Sequence, residues 1–111
     1  MTKDARLKRR PEFTAVQNAG RRVGAKYVTL VGLSNTRGTD RLGIIASKRV
    51  GGATTRNRAK RRLRELFRRE IGRGDRCMDI VAIARREIVD APFALVETDF
   101  HAALLKLRGA R

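Results

Sequence analysis

The chain has 111 residues and carries 27 Lys and Arg against 11 Asp and Glu, a formal charge of +16. Its length suits a single domain spanning residues 1–111, and 41% hydrophobic residues are enough for a core without disulfides or a structural metal, so the 34% charged content describes a basic surface rather than a disordered polycation. No apolar run nears the ~18 residues of a membrane span, no hydrophobic N-terminal stretch suggests export, and the lone Cys77 excludes an internal disulfide and a Cys-rich zinc site. His101 is the only histidine and no Ser, Asp or second Cys pattern surrounds it, so the local signals of nucleophilic triads and His-based metal sites are absent.

Residues 1–10 carry Lys3, Arg6, Lys8, Arg9 and Arg10 against Asp4 and suggest a flexible basic arm. Pro11 suits the first turn of a helix, where its missing N–H is no loss. Phe13 and Val16 share one face and Gly20 is a stop, which predicts a helix over 11–19. Residues 22–34 are rich in β-branched residues and predict a strand with Val28, Leu30 and Gly32 on one face and Tyr27, Thr29, Val31 and Leu33 on the other. Both faces are largely apolar, so the strand is covered on both sides or borders a groove on one. Turn formers between Asn35 and Asp40 lead to a second strand over 41–47, and the two strands are expected to pair as a hairpin.

Lys48 to Gly52 is a loop with two consecutive glycines. From about Thr54 the pattern is helical: Ala59, Leu63, Leu66, Phe67 and Ile71 form an apolar stripe at period 3.6, and Gly72 and Gly74 end it. Arg58, Arg61, Arg62, Arg64, Arg68 and Arg69 lie away from the stripe, and Glu65 is placed to pair with Arg61 or Arg69. Residues 79–84, DIVAIA, are a third clear strand. Pro92 opens the last helix, whose buried stripe is Phe93, Val96, Phe100, Ala103, Leu104 and Leu107. The elements predict an α+β domain: a two-layer sandwich of about four mostly antiparallel strands and three helices.

The charge is concentrated. Residues 48–69 hold ten basic residues against Glu65 alone, and Arg outnumbers Lys eight to two. A solvating helix face mixes both signs. This face would repel itself unless an anion answered it, and guanidinium forks suit phosphate and exposed bases. A membrane-surface helix would place large apolar side chains at the lipid boundary, and here the apolar stripe is narrow. Gly51 and Gly52 let backbone approach a ligand ahead of the helix, whose first-turn N–H groups favour an anion. Arg56, Asn57 and Arg58 follow; Asn57 is either a local cap or a ligand-binding amide. Phe67, Phe93 and Phe100 belong to core stripes, whereas Phe13 suits a core or a base-stacking role equally. The scattered acids, Asp75 and Asp79 included, are expected as solvated surface groups. No catalytic or metal-binding constellation is assigned to the chain.

Arg41 to Phe67, RLGIIASKRVGGATTRNRAKRRLRELF, resembles the signature of the bacterial ribonuclease P protein component. The match falls on Ser47-Lys48-Arg49-Val50-Gly51, on Arg56-Asn57-Arg58, and on Lys60, Arg61 and Arg64. RLKRRPEF (6–13) and DIVAIARRE (79–87) resemble its opening and its later strand. The resemblance implies a left-handed strand–helix–strand crossover, a hand uncommon for parallel strands. It implies that catalysis belongs to an RNA subunit with Mg²⁺ bound mainly by that RNA. It further implies that the protein, monomeric without RNA and cytoplasmic, binds this RNA and the 5′ leader of precursor tRNA. Carried over by position, Lys48, Arg49, Arg56, Asn57, Arg58, Lys60, Arg61 and Arg64 would meet the RNA subunit. Phe13, Val28 and Leu30, with Arg85 at the edge, would line the leader cleft. Gln17 stands where family members are often aromatic and Leu30 where some carry Tyr, so this cleft should stack less. Composition alone also fits a general RNA-binding module; a protein-only nuclease would need clustered carboxylates or histidines.

Overall fold

The computed structural model describes residues 6–71 and 77–109. In chain order the elements are α1 (Arg10–Ala19), β1 (Arg21–Gly24), β2 (Val28–Asn35), β3 (Arg41–Ile45), α2 (Ala53–Glu70), β4 (Cys77–Ala84), a 3₁₀ turn (Arg86–Ile88) and α3 (Phe93–Gly109). The three helices sit where their apolar stripes place them. Ala59, Leu63, Leu66 and Phe67 are the buried residues of α2, and Val96, Phe100, Ala103, Leu104 and Leu107 those of α3. Ile71 caps the end of α2; the stop expected at Gly72 and Gly74 lies outside the described residues.

The strands pair differently from the expected hairpin. The sheet order is β1-β2-β4-β3, with β4 antiparallel to β2 and parallel to β3. β2 and β3 therefore flank β4 instead of each other, and α2 carries the crossover between β3 and β4. The apolar run of β4 explains its inner position: Ile80, Val81 and Ala82 are fully buried, and a strand apolar on both faces gains most with neighbours on both edges. The single strand expected over 22–34 breaks at Ala25–Tyr27, so β1 folds back on β2. The corner is pinned from a distance, because the Lys26 and Tyr27 N–H groups donate to the Asp99 carboxylate of α3 at 3.1 and 2.8 Å.

The sheet separates two apolar clusters. Val28, Leu30, Ile80 and Ala82 pack beneath α2 and α3, while Val31 and Val81 pack with Leu7 and Val16 beneath α1. Two helices thus cover one face, and the short α1 covers only part of the other. No described helix is long and apolar enough to cross a membrane.

Of the flexible basic arm expected over 1–10, residues 1–5 lie outside the described residues, and residues 6–10 are docked on the sheet or begin α1. Arg6 bridges to Leu42, the Leu7 N–H donates to the Leu42 carbonyl at 3.0 Å, and the Leu7 side chain is buried. An apolar residue inside the basic run is what draws it onto the β3 edge. The α1–β1 junction is close-packed: a Cβ on Gly20 would overlap the Val16 carbonyl and come within 2.9 Å of the Gly32 carbonyl, whereas a Cβ on Gly24 would meet nothing within 4 Å. Gly20→Ala is expected to lower stability in urea unfolding by about 1–3 kcal/mol, since backbone must move. Gly24→Ala should stay within about 0.5 kcal/mol.

Candidate nucleic-acid interface

The segment Ser47–Gly51 is a tight turn, with the Val50 N–H on the Ser47 carbonyl at 3.0 Å and the Gly51 N–H on the Lys48 carbonyl at 3.2 Å. Val50 is buried in the core and anchors the turn, which leaves Lys48 and Arg49 exposed. Gly51 has φ 146°, in the region that favours glycine, and Gly52 occupies the N-cap of α2 without a side-chain cap. The helix therefore begins with uncapped N–H groups and no acidic residue in its first turn. Asn57 lies a turn further on and is exposed, so the local-cap reading does not apply to it.

At 100° per residue most of the polar residues of α2 fall into three rows. Asn57, Arg61 and Arg68 run along the solvent crest. Lys60 and Arg64 border a small groove against Leu7, Phe13 and Leu42. Arg58 and Arg62 border another against Ile88 and Asp90. Their partners divide them again. Arg62 donates to the Ala91 carbonyl at 3.0 Å, Arg68 pairs with Glu65 at 2.6 Å, and Arg69 pairs with Glu97 of α3 at 2.8 Å. Glu65 thus takes a neighbour three residues on, not Arg61 or Arg69. Arg56, Arg58, Lys60, Arg61 and Arg64, like Lys48 and Arg49 in the turn, form no ion pair among the described residues. The cations left over are those of the R-N-R-x-K-R-x-x-R pattern.

The acids are not all solvated surface groups, as expected from their scatter. Asp40 is 1% exposed, accepts the Met78 N–H at 2.8 Å and pairs with Arg108, which also donates to the Glu70 carbonyl at 2.7 Å. Glu70 itself meets His101 at 2.5 Å. Asp79 holds the Arg41 guanidinium through two bonds, at 2.8 and 2.7 Å, and accepts the Asn35 amide at 2.7 Å. Arg41 also reaches Glu12 at 3.0 Å. These carboxylates are committed to Arg108, His101, Arg41 and backbone N–H groups, and none of them pairs with Lys48, Arg49 or the cations of the α2 motif. Asp75 lies outside the described residues.

Glu12 shows how firmly this network is held. The Arg9 and Lys8 N–H groups donate to its carboxylate, and with Arg41 they lower its pKa from the usual 4.5 to about 2. Burial works against the Asp79 charge, but the bonds from Arg41 and Asn35 outweigh it and lower its pKa. The bond to Asp79 raises that of Arg41. Because the folded pKa of Glu12 lies below its unfolded value, its stabilisation is complete above about pH 4.5 and is lost as pH falls through about 2. Urea midpoints measured across that window should fall less steeply for Glu12→Gln than for the unsubstituted chain, with Asp79 supplying the remaining slope.

The face under α1 forms a cleft. Phe13 lies over Gly43, where a Cβ would stand 2.5 Å from ring atoms Cε2 and Cζ. Its ring both packs on the α1 cluster and borders an open groove of about 480 Å³ with Arg10, Thr14, Gln17 and Ile45. The sheet register aligns Thr29, Ile83 and Ile45 in one row across this face. Val28 and Leu30 do not line it. Both are 0% exposed in the core beneath α2 and α3, because alternate β2 residues point away from α1. Leu30 therefore belongs to the core, and of these two positions only Gln17 borders the cleft. Arg85 is exposed just beyond β4, its N–H on the Tyr27 carbonyl at 3.0 Å, two residues past Ile83. Thr29, Ile45 and Ile83 were not singled out from sequence; Thr29, a polar residue inside an apolar strand, is the mark of the half-covered face.

Among the described residues no three His, Cys, Asp or Glu side chains are grouped to hold a metal ion. Glu12 and Asp79, two carboxylates near one another in the fold, both hold the Arg41 guanidinium. This donor set does not fit Mg²⁺.

The profile of the family described as Ribonuclease P matches residues 1–108. Over 105 residues the chain is 38% identical to the ribonuclease P protein component of Chloroflexus aurantiacus, covering 94% of this chain and 78% of that protein. Over 85 residues it is 41% identical to that of Desulfatibacillum aliphaticivorans, covering 77% and 72%. The RNase P protein of Thermotoga maritima superposes with a TM-score of 0.78 at 30% identity, covering 96% and 97% of the two chains. That of Staphylococcus aureus superposes with a TM-score of 0.79 at 27% identity, covering 90% and 92%.

Proposed function

The chain belongs to the ribonuclease P protein family, and from that premise we propose that it binds the catalytic RNA of ribonuclease P and the 5′ leader of precursor tRNA, so that the holoenzyme removes the leader. The observation that carries this reading is the division of the arginines: Arg62, Arg68 and Arg69 have partners in the fold, while the cations of the motif have none among the described residues. Guanidinium groups held on a rigid helix and lacking internal partners are preorganised for phosphates. In this reading the turn and α2 face the RNA subunit, and Lys48 and Arg49 extend that contact toward the cleavage region. The leader lies in the cleft beside α1, where Phe13 offers one ring face to a base and Ile45 and Ile83 an apolar floor. With Gln17 one turn on, stacking there rests on a single ring. The chain supplies no reacting group; hydrolysis and Mg²⁺ belong to the RNA. The protein is a monomer until it meets the RNA, in the cytoplasm.

The test is cleavage of precursor tRNA at low Mg²⁺ by the cognate RNA subunit, with and without the protein. The expected result is a higher rate with the protein, preference for precursor over mature tRNA, and no cleavage when the RNA is omitted. An unchanged rate overturns the reading. Equal binding of precursor and mature tRNA by the assembled complex would make the chain a general RNA-binding module.

A further inference from the structure

A second basic groove, of about 610 Å³, opens between the N-terminal segment, the start of α1 and the β2–β3 loop. Arg6, Lys8, Arg9 and Arg37 line it, and Glu12 and Arg41 contribute to it. It is distinct from the leader cleft: Arg41 precedes Ile45 by four residues along β3, roughly 13 Å at strand rise. Arg41 is balanced by Glu12 and Asp79. Arg37 acts on the Asp79 charge from beyond ion-pair distance, and the side chains of Arg6, Lys8, Arg9 and Arg37 form no ion pair among the described residues. These cations are not on a loose tail. Leu7 is buried and bonded to Leu42, and the Lys8 and Arg9 N–H groups are held by Glu12 at 2.9 and 3.0 Å.

Arg6 joins this groove to α2. It also lines the smaller groove beside β3, opposite Lys60 and Arg64. The cations therefore run without a break from Lys60 and Arg64, through Arg6, to Lys8, Arg9 and Arg37. A face that merely kept the protein soluble would intersperse acids, and the one acid in this groove is engaged with Arg41 and two backbone N–H groups. No large apolar side chain lines the groove to enter a lipid boundary.

We infer that this groove is a second phosphate-binding track for the same RNA that α2 binds, whose backbone crosses the β3 edge from α2 to the β2–β3 loop. The inference rests on the proposed function. It adds a contact that depends on Arg37, far in sequence from the α2 motif, and on the N-terminal segment being docked.

The experiment compares the full chain with a Lys8→Gln, Arg9→Gln, Arg37→Gln variant. Affinity for the labelled cognate RNA subunit is measured against salt, and the affinity of the assembled holoenzyme for precursor tRNA is measured with long and shortened leaders. These exposed side chains leave folding intact, which thermal unfolding checks. The expected result is a slope of log affinity against log salt for the RNA subunit reduced by about 2–3, as for three lost phosphates, with leader-length dependence unchanged. Arg6→Gln alone should reduce the slope by about one. An unchanged slope overturns the track. So does a loss confined to precursor tRNA with the long leader, because the occupant is then the leader. If the unsubstituted chain does not bind the RNA subunit at all, the proposed function falls and the track with it.

Discussion

Replacing Arg56, Arg58, Arg61 and Arg64 together by Gln is expected to weaken binding to the catalytic RNA by about a thousandfold at 0.1 M salt and to reduce the salt slope by about 3–4. Each phosphate neutralised contributes roughly 0.7–0.9 to that slope, so four contacts account for both figures. The informative comparison is a variant that removes nearly the same charge elsewhere on the helix. Arg62, Arg68 and Arg69 are occupied by the Ala91 carbonyl, Glu65 and Glu97. Their replacement by Gln should reduce the slope by less than one and act mainly on stability. Arg62 matters most there, because the Ala91 carbonyl next to a buried residue loses its donor. Filter binding or fluorescence titration over a range of salt checks both variants. If the two behave alike, long-range attraction by net charge, not local phosphate contact, explains binding.

That contrast shows where sequence reading stops. The helix was legible because a 3.6-residue stripe from Ala59 to Phe67 specifies which face is buried. Which arginines remain unpaired was not, because Glu97 and Ala91, the partners of Arg69 and Arg62, lie 28 and 29 residues away. Strand existence was legible from β-branched runs, but pairing was not: periodicity carries no information about neighbours. β4 enters between β2 and β3, where both of its apolar faces are buried, yet β2 is as apolar and periodicity alone does not choose between them. The break at Ala25–Tyr27 depends on Asp99, 72 residues from Tyr27. Val28 and Leu30 were expected beside Phe13 and lie on the face of β2 away from α1 for a related reason. Val28 and Leu30 are as apolar as Val31, and only the placement of α1 over Val31 and Val81 decides which set borders the groove. The basic motif itself was fully legible, since its spacing is local.

Arg41→Leu is expected to destabilise the fold by about 3 kcal/mol, although Arg41 is outside the RNA-binding motif. Its side chain is 9% exposed and makes two bonds to Asp79 and one to Glu12. Breaking a buried pair by removing one member typically costs about 3–5 kcal/mol, since the other charge is left without its partner. The lower end applies here. Asp79 keeps the Asn35 amide, and Glu12 keeps the Lys8 and Arg9 N–H groups. Arg41→Lys should recover only part of the loss, because an ammonium cannot reproduce the two-pronged contact with Asp79 while reaching Glu12. Replacing Arg41 and Asp79 together by apolar residues should cost less than the sum of the two single changes. Urea unfolding of the unsubstituted chain, the two single variants and the double variant measures the coupling; strict additivity would show that the Arg41–Asp79 pair contributes nothing to stability. The consequence reaches the cleft. Glu12 is the residue before Phe13, and its bond to Arg41 ties α1 to β3, the strand on which the Phe13 ring rests at Gly43. Loosening that tie should weaken leader binding while sparing affinity for the RNA subunit, because α2 is held to the sheet by its own apolar stripe through Leu63, Leu66 and Phe67. The ion network thus ties α1, and Phe13 with it, to β3, and it engages none of the cations of the turn or of the α2 motif.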